Sequence, residues 1–216
     1  MRMLRLAVTL AIAGGLVAAW KAAPPLTNLW HRLSGPSAPS GSYYVSPTGN
    51  DHAAGTSPAH AWRTLARASA ARLKPGNRLL LQGGHVYHGY LLITKSDSGT
   101  TARRVLISSY GRSRATISSF GSGVIVLDAA NITITNLVIV GQQALRPGTA
   151  GIQAYSDLRH GRLAHLVIEH VDVSGFGYGI AIGGLHDGAG FRDVWVKHPT
   201  IGFRNSRFSV QRHWLG

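Results

Sequence analysis

The 216-residue chain contains no cysteine, which excludes a disulfide framework and any cysteine-ligated metal centre. Acidic residues are nearly as scarce: 8 Asp and Glu stand against 22 Lys and Arg, a formal net charge of +14. Charged residues make up only 14% of the chain. No G-x-S-x-G elbow, Walker loop or dinucleotide fingerprint occurs, so nucleotide and serine-hydrolase chemistry has no anchor in this sequence. What the chain has instead is glycine, 27 residues, and long Val/Ile/Leu stretches in its second half. That composition favours β-structure over a helical bundle, and the length suffices for one domain with a core.

The basic excess is not confined to the N-terminus. The segment up to Ser40 holds four cations (Arg2, Arg5, Lys21, Arg32) and no acid, leaving 18 against 8, or +10, for the rest. Such a surface suits acidic polysaccharide, phospholipid or nucleic acid, although a plain solubility charge reads the same way. MRMLR followed by the apolar run Leu6–Trp20 and small residues resembles an export signal. Fifteen residues fall short of the roughly 20 of a membrane span, so residues 1–23 read as a signal peptide or an N-terminal anchor. Residues 24–42 read as a Pro/Ser-rich linker, and order is expected from 43 to 216.

Trp62, Leu65, Ala66, Ala70 and Leu73 share one face at helical spacing. A helix is expected over Trp62–Leu73, after the Ser57-Pro58 turn and before Lys74-Pro75-Gly76. The remainder repeats. Gly123-Val-Ile-Val, Gly151-Ile-Gln-Ala and Gly179-Ile-Ala-Ile are spaced by 28 residues. One further step falls on Arg207-Phe208-Ser209-Val210, which keeps the alternation without the Gly. A second series, Asn131–Asn136, Leu166–His170 and Val194–His198, runs beside it, lengthened once by the polar stretch Ser156–Leu163.

Repeats of short strands and Gly turns predict a solenoid. The expected fold is all-β, a right-handed parallel β-helix with a short N-terminal capping helix. Ile132, Ile134, Leu137 and Ile139 should point inward and Thr133 and Thr135 outward. The helix should cover the open end and unpaired edge of the first coil. The chain ends at QRHWLG without a recognisable cap, so the domain reads as incomplete at its C-terminus.

The opening YYVSPTGND…GTSP…W.TLARA…LKPGN.LLLQGG.VY.G and the NITITNLVIVG-type coils resemble the N-terminal part of the pectin-lyase-like superfamily. The similarity is strongest to secreted polysaccharide lyases and epimerase-like proteins, over residues 43 to about 198. It implies binding of acidic polysaccharide along a strand face, Ca²⁺ held by clustered carboxylates, and a Lys or Arg base.

The strongest local candidate is the second series. Thr135, Glu169 and Lys197 should form one outward column and Asn136, His170 and His198 the next. Val194-Trp-Val-Lys-His198 is similar to the V-W-I-D-H strand of pectate lyases, with Lys197 where that pattern carries an acid. Lys197 is the candidate base for removing the proton alpha to a uronate carboxylate. Trp195, Glu169 and His198 are candidate substrate-binding residues. A surface ion pair between Glu169 and Lys197 explains the same residues without function. Asp157, Glu169, Asp172, Asp187 and Asp193 are too scattered to name a calcium site, which needs six or more oxygens; only Asp172 and Asp193 could meet by stacking. His85 and His88, and His160, His165 and His170 at five-residue spacing, fit no metal-ligand pattern. Asn131 and Asn136 read as turn or ladder residues, and Gly175–Gly179 as a turn.

The functional expectation is an exported carbohydrate-active protein that acts on an acidic polysaccharide by β-elimination or epimerisation, or binds it. The alternative is a non-catalytic binding β-helix or a piece of a longer enzyme. Membrane contact is expected only through the N-terminal segment. The export signal and the lack of a motif argue against nucleic acid.

Overall fold

The computed structural model describes residues 41–142 and 148–202, and the backbone of 207–210. The expected export segment, the linker up to residue 40 and QRHWLG lie outside the described residues.

The described residues are all-β, with two parallel sheets, one short α-helix and two single turns of 3-10 helix. The strands are β1 (Ser42–Val45), β2 (Arg78–Gln82), β3 (Val86–His88), β4 (Leu91–Ile93), β5 (Val105–Tyr110), β6 (Ala115–Ser119) and β7 (Val124–Leu127). They continue with β8 (Ile132–Gly141), β9 (Ala150–Ser156), β10 (Leu163–Ser174), β11 (Tyr178–Gly184), β12 (Phe191–Lys197), β13 (Thr200–Gly202) and β14 (Arg207–Val210). The first sheet has nine strands along β1-β2-β5-β8-β10-β12, with β3, β6 and β13 extending it sideways. The second has five, β4-β7-β9-β11-β14. From β7 onward the chain passes back and forth between the sheets. Each strand pairs in parallel with its equivalent one repeat away, as Leu166 with Val194 and Ile152 with Ile180. Both pairs keep the spacing of the glycine series.

The apolar alternation decides which side faces the core. Ile132, Ile134, Leu137 and Ile139 are buried, as are their partners Leu166, Ile168, Val171 and Val173. Strict alternation would expose one half of each long strand. A residue at positive φ corrects the phase: Asn136 (57°), His170 (50°) and His198 (47°) form one such column. Asn131 (58°), His165 (51°) and Asp193 (55°) form another, five residues upstream. Asn, Asp and His are the non-glycine types that best tolerate this left-handed region. The five-residue step from His165 to His170 is therefore a backbone signal; His160 is not at positive φ.

The repeated glycines have a packing cause. A Cβ on Gly123 would stand 2.3 Å from Ile139, one on Gly151 2.1 Å from Val173, and one on Gly179 3.0 Å from Ile201. These three partners are themselves aligned in the first sheet. β14 keeps the repeat register at Ala181–Ser209 and Ile182–Val210, with an irregularity before it.

The N-terminal helix is shorter than its periodicity suggests. α1 spans only Leu65–Ser69, capped by the Thr64 side chain. Trp62 instead makes a parallel bridge to Val45, and Leu73 is buried from the loop beyond the helix. The spacing marks a buried face, and part of that face is extended chain. The Trp62 indole stacks on Tyr43 at 4.9 Å, lies under the Arg67 guanidinium at 4.3 Å, and donates to the Ala53 carbonyl at 3.0 Å. Gly55 packs so close that a Cβ there would sit 2.3 Å from the ring. The edge of β1 is closed by the same loop: Tyr44 N–H donates to Gly55 O, and Trp62 N–H donates to Tyr44 O. In the second sheet, the N–H of Leu92 on edge strand β4 donates to Ser69 Oγ of the helix. Both leading edges are thus satisfied internally, which blocks strand addition there.

Candidate functional site

The outer side of the first sheet carries the residues singled out from the sequence. Thr135, Glu169 and Lys197 align across β8, β10 and β12. Thr133, Val167 and Trp195 form the neighbouring column, which continues through Leu106 on β5 to the exposed Arg78 on β2. Four rungs at about 4.8 Å each put Arg78 roughly 19 Å from Trp195 along the sheet.

Trp195 is 53% exposed, and the Lys197 ammonium lies 5.1 Å from its ring centroid. Glu169 is half-buried on the next strand. The ion pair weighed for Glu169 and Lys197 does not form; acid–base contacts among the described residues include the Arg114–Asp172 ion pair and the His165–Asp193 and His186–Asp157 contacts. The His170 and His198 rings stack at 5.2 Å with planes 19° apart. The end of β12 and the residue after it thus offer an indole face, an ammonium and an imidazole in close succession.

The acids take separate partners. Asp172 and Asp193, which stacking could have brought together, lie in different columns. Asp172 pairs with Arg114, and its carboxyl is held below the usual range, first by the Arg114 hydrogen bond. Partial burial opposes that, while a hydrogen bond from Thr200 and the Arg114 charge add to it. Asp193 faces His165 at 4.0 Å, and His186 Nε2 lies 3.1 Å from Asp157 Oδ1. Among the described residues no three His, Asp or Glu side chains converge on one point. This donor set does not fit the calcium implied by the resemblance, and no chemistry is routed through that ion. His85 and His88 are exposed; His88 Nδ1 lies 3.1 Å from the Gln142 amide nitrogen.

Several conspicuous residues escaped the sequence reading. Tyr90, Phe120 and Tyr178 are 53%, 61% and 38% exposed, where the chain leads into the second sheet. Each stands beside a glycine, the one local signal available.

No known family profile and no curated protein matches the sequence. Among solved structures, the chain is similar to a GH136 lacto-N-biosidase from Eubacterium ramulus. The selenomethionine form matches with a TM-score of 0.58 at 18% identity, covering 79% of this chain and 36% of that one. The native form gives 0.58 and 18%, covering 80% and 37%. The chain therefore spans little more than a third of those structures. At this identity the likeness establishes a shared parallel β architecture.

Proposed function

We propose that the protein is an exported right-handed parallel β-helix that binds an acidic polysaccharide along the outer face of its first sheet. The observation that carries this reading is the exposed Trp195 ring with the Lys197 ammonium over it. A sugar ring presents an apolar C–H face that suits an indole, and a uronate carboxylate suits an adjacent ammonium. Arg78, about four rungs away on the same face, supplies a second cation at a distance a chain of several sugars spans. Glu169 accepts hydrogen bonds from hydroxyls, and His198 extends the polar rim.

The net charge of +14 draws polyanions to the surface, and the N-terminal segment directs export. The architectural likeness to a lacto-N-biosidase adds support for a carbohydrate ligand. Binding is favoured over β-elimination by the setting of Lys197. A lysine base is normally prepared by burial or by a neighbouring cation. Lys197 is instead exposed above an indole, a position that suits a counter-charge.

Native gel electrophoresis through polygalacturonate, alginate and a neutral polymer tests the proposal, with ultraviolet absorbance monitored for unsaturated uronates. Retardation by the acidic polymers that weakens with salt, without absorbance, is expected. Absence of retardation at low salt, from folded protein, would sink the binding reading. Absorbance that disappears in Lys197→Met would replace binding with catalysis.

A further inference from the structure

The basic excess is lopsided. Between Gly41 and Arg104 the chain holds eight Lys and Arg against two acids, whereas between Val105 and Gly202 it holds seven against six. Both acids of the first stretch are spent on the backbone. Asp51 accepts from the N–H groups of Arg63 and Thr64. Asp97, only 2% exposed, accepts from those of Leu73 and Thr94.

Five of the eight cations gather at one corner of the leading end, brought together by two hydrogen bonds. The bond from Leu73 N–H to Asp97 joins the loop after α1 to the turn after β4. Arg72 and Lys74 flank Leu73, and Lys95 stands two residues before Asp97. The Leu106 N–H donates to Asn77 O at 3.0 Å, which sets Arg104 beside the turn from Lys74 to Asn77. Arg78 follows that turn directly. Asn77 Oδ1 holds the turn by accepting from Lys74 N–H at 2.7 Å. Arg72, Lys74, Arg78, Lys95 and Arg104 are all exposed.

We infer that this basic corner docks on an anionic phospholipid surface. Charge alone suits any polyanion; the chain ahead of the corner selects a membrane. Residues 1–40 carry four more cations, no acid and the apolar run Leu6–Trp20. A run of that length is short for a bilayer, and one weak apolar signal needs a polybasic partner for stable attachment. Arg78 N–H donates to Gly41 O at 3.0 Å, so the chain from the apolar run enters the fold at the corner itself. Twenty residues separate Trp20 from Gly41, a reach of at most about 75 Å. Each Lys or Arg close to an anionic surface strengthens attachment about fivefold. The inference is independent of the carbohydrate reading.

The absence of cysteine lets Ala70→Cys carry a single fluorescent donor two residues before Arg72, on an exposed position. Energy transfer to acceptor-labelled lipid is followed with the full chain. The vesicles are phosphatidylcholine, alone or mixed with phosphatidylglycerol. Half-maximal transfer should need at least tenfold less lipid with the mixed vesicles, an advantage lost at high salt. In the same background R72Q/K74Q/K95Q should lose at least tenfold toward the mixed vesicles. R159Q/R162Q, on the loop after β9, should match the parent. If the triple variant does not fold, Lys74→Gln alone should lose about fivefold. Equal transfer with both vesicle types overturns the inference. A triple variant that keeps the anionic preference but loses polygalacturonate also overturns it, because the corner would then hold the polysaccharide. Wild-type protein that prefers the mixed vesicles but ignores polygalacturonate supports the corner and sinks the first-sheet proposal alone.

Discussion

The Lys197 ammonium rests 5.1 Å from the centre of the Trp195 ring, two residues away on the same outer face of β12. Such a contact at an exposed site contributes about 0.5–1 kcal/mol and fixes where the positive charge stands. Lys197→Met keeps the length of the side chain and removes the charge. Its polygalacturonate affinity should fall roughly threefold to tenfold, with a shallower salt dependence, while Lys197→Arg stays near wild type. Titrations at two ionic strengths check both statements.

Gly151 is tied to the fold by the 2.1 Å approach of its absent Cβ to Val173. Gly151→Ala must push the two sheets apart, and overpacking of this kind costs about 1–3 kcal/mol. Gly121→Ala is the control, since nothing lies within 4 Å of its Cβ position. Thermal melts should separate the two variants by several degrees.

Asp51 ties the opening loop to α1. Its carboxylate accepts from the N–H groups of Arg63 and Thr64 and from the Thr64 hydroxyl, at 2.7–2.9 Å. Burial alone would raise its pKa, but these bonds, with the Arg63 charge, outweigh it and hold the carboxyl below 3.8. A depressed folded-state value means the unfolded chain binds the proton more readily. The stabilisation is therefore complete above about pH 3.8 and is lost as the pH falls through the lower folded value. Asp51→Asn should cost ~1–2 kcal/mol at neutral pH and flatten the acid limb of a stability-versus-pH curve. An acid limb identical to wild type would contradict this assignment.

His170 sits at φ 50°, a conformation that asparagine accepts and β-branched residues resist. His170→Asn should leave the melting temperature within about a degree, whereas His170→Val should lose about 1–2 kcal/mol. Equal stability of the two variants would show that the column tolerates any side chain.

The repeat was legible in the sequence because one geometric demand recurs at three successive strands of the second sheet. Gly123 and Gly151 each meet an aligned side chain of the other sheet too closely for a Cβ, and Gly179 meets Ile201 with little room to spare. The inward set Ile132, Ile134, Leu137 and Ile139 was legible for the same reason. The N-terminal helix was over-read, because Trp62 and Leu73 are buried like helix residues although neither is helical. Asp97 is buried and accepts from Leu73 N–H at 2.9 Å; its Thr94-x-x-Asp97 capping box is a local sequence signal, but the tie to Leu73, 24 residues back, leaves none. The column of Thr135, Glu169 and Lys197 followed from the period, but the contacts of Lys197 did not. A period fixes a rung and leaves a long side chain free to choose a ring over a carboxylate. Tyr90, Phe120 and Tyr178 gave no repeat signal because they stand at different register positions: Tyr178 pairs with Ala150, while Tyr90 precedes the Leu91–Val124 pair, so no aromatic recurs at one place.

Calorimetric titration of polygalacturonate into the wild-type protein and the W195A/K197M variant, at low and high salt, decides whether the β12 face holds the polyanion. Wild-type binding should be measurable and weaken with salt, and the variant should bind at least tenfold more weakly while melting at the wild-type temperature. Equal affinity of the two proteins would place the polyanion elsewhere on the surface and contradict the assignment of the β12 face.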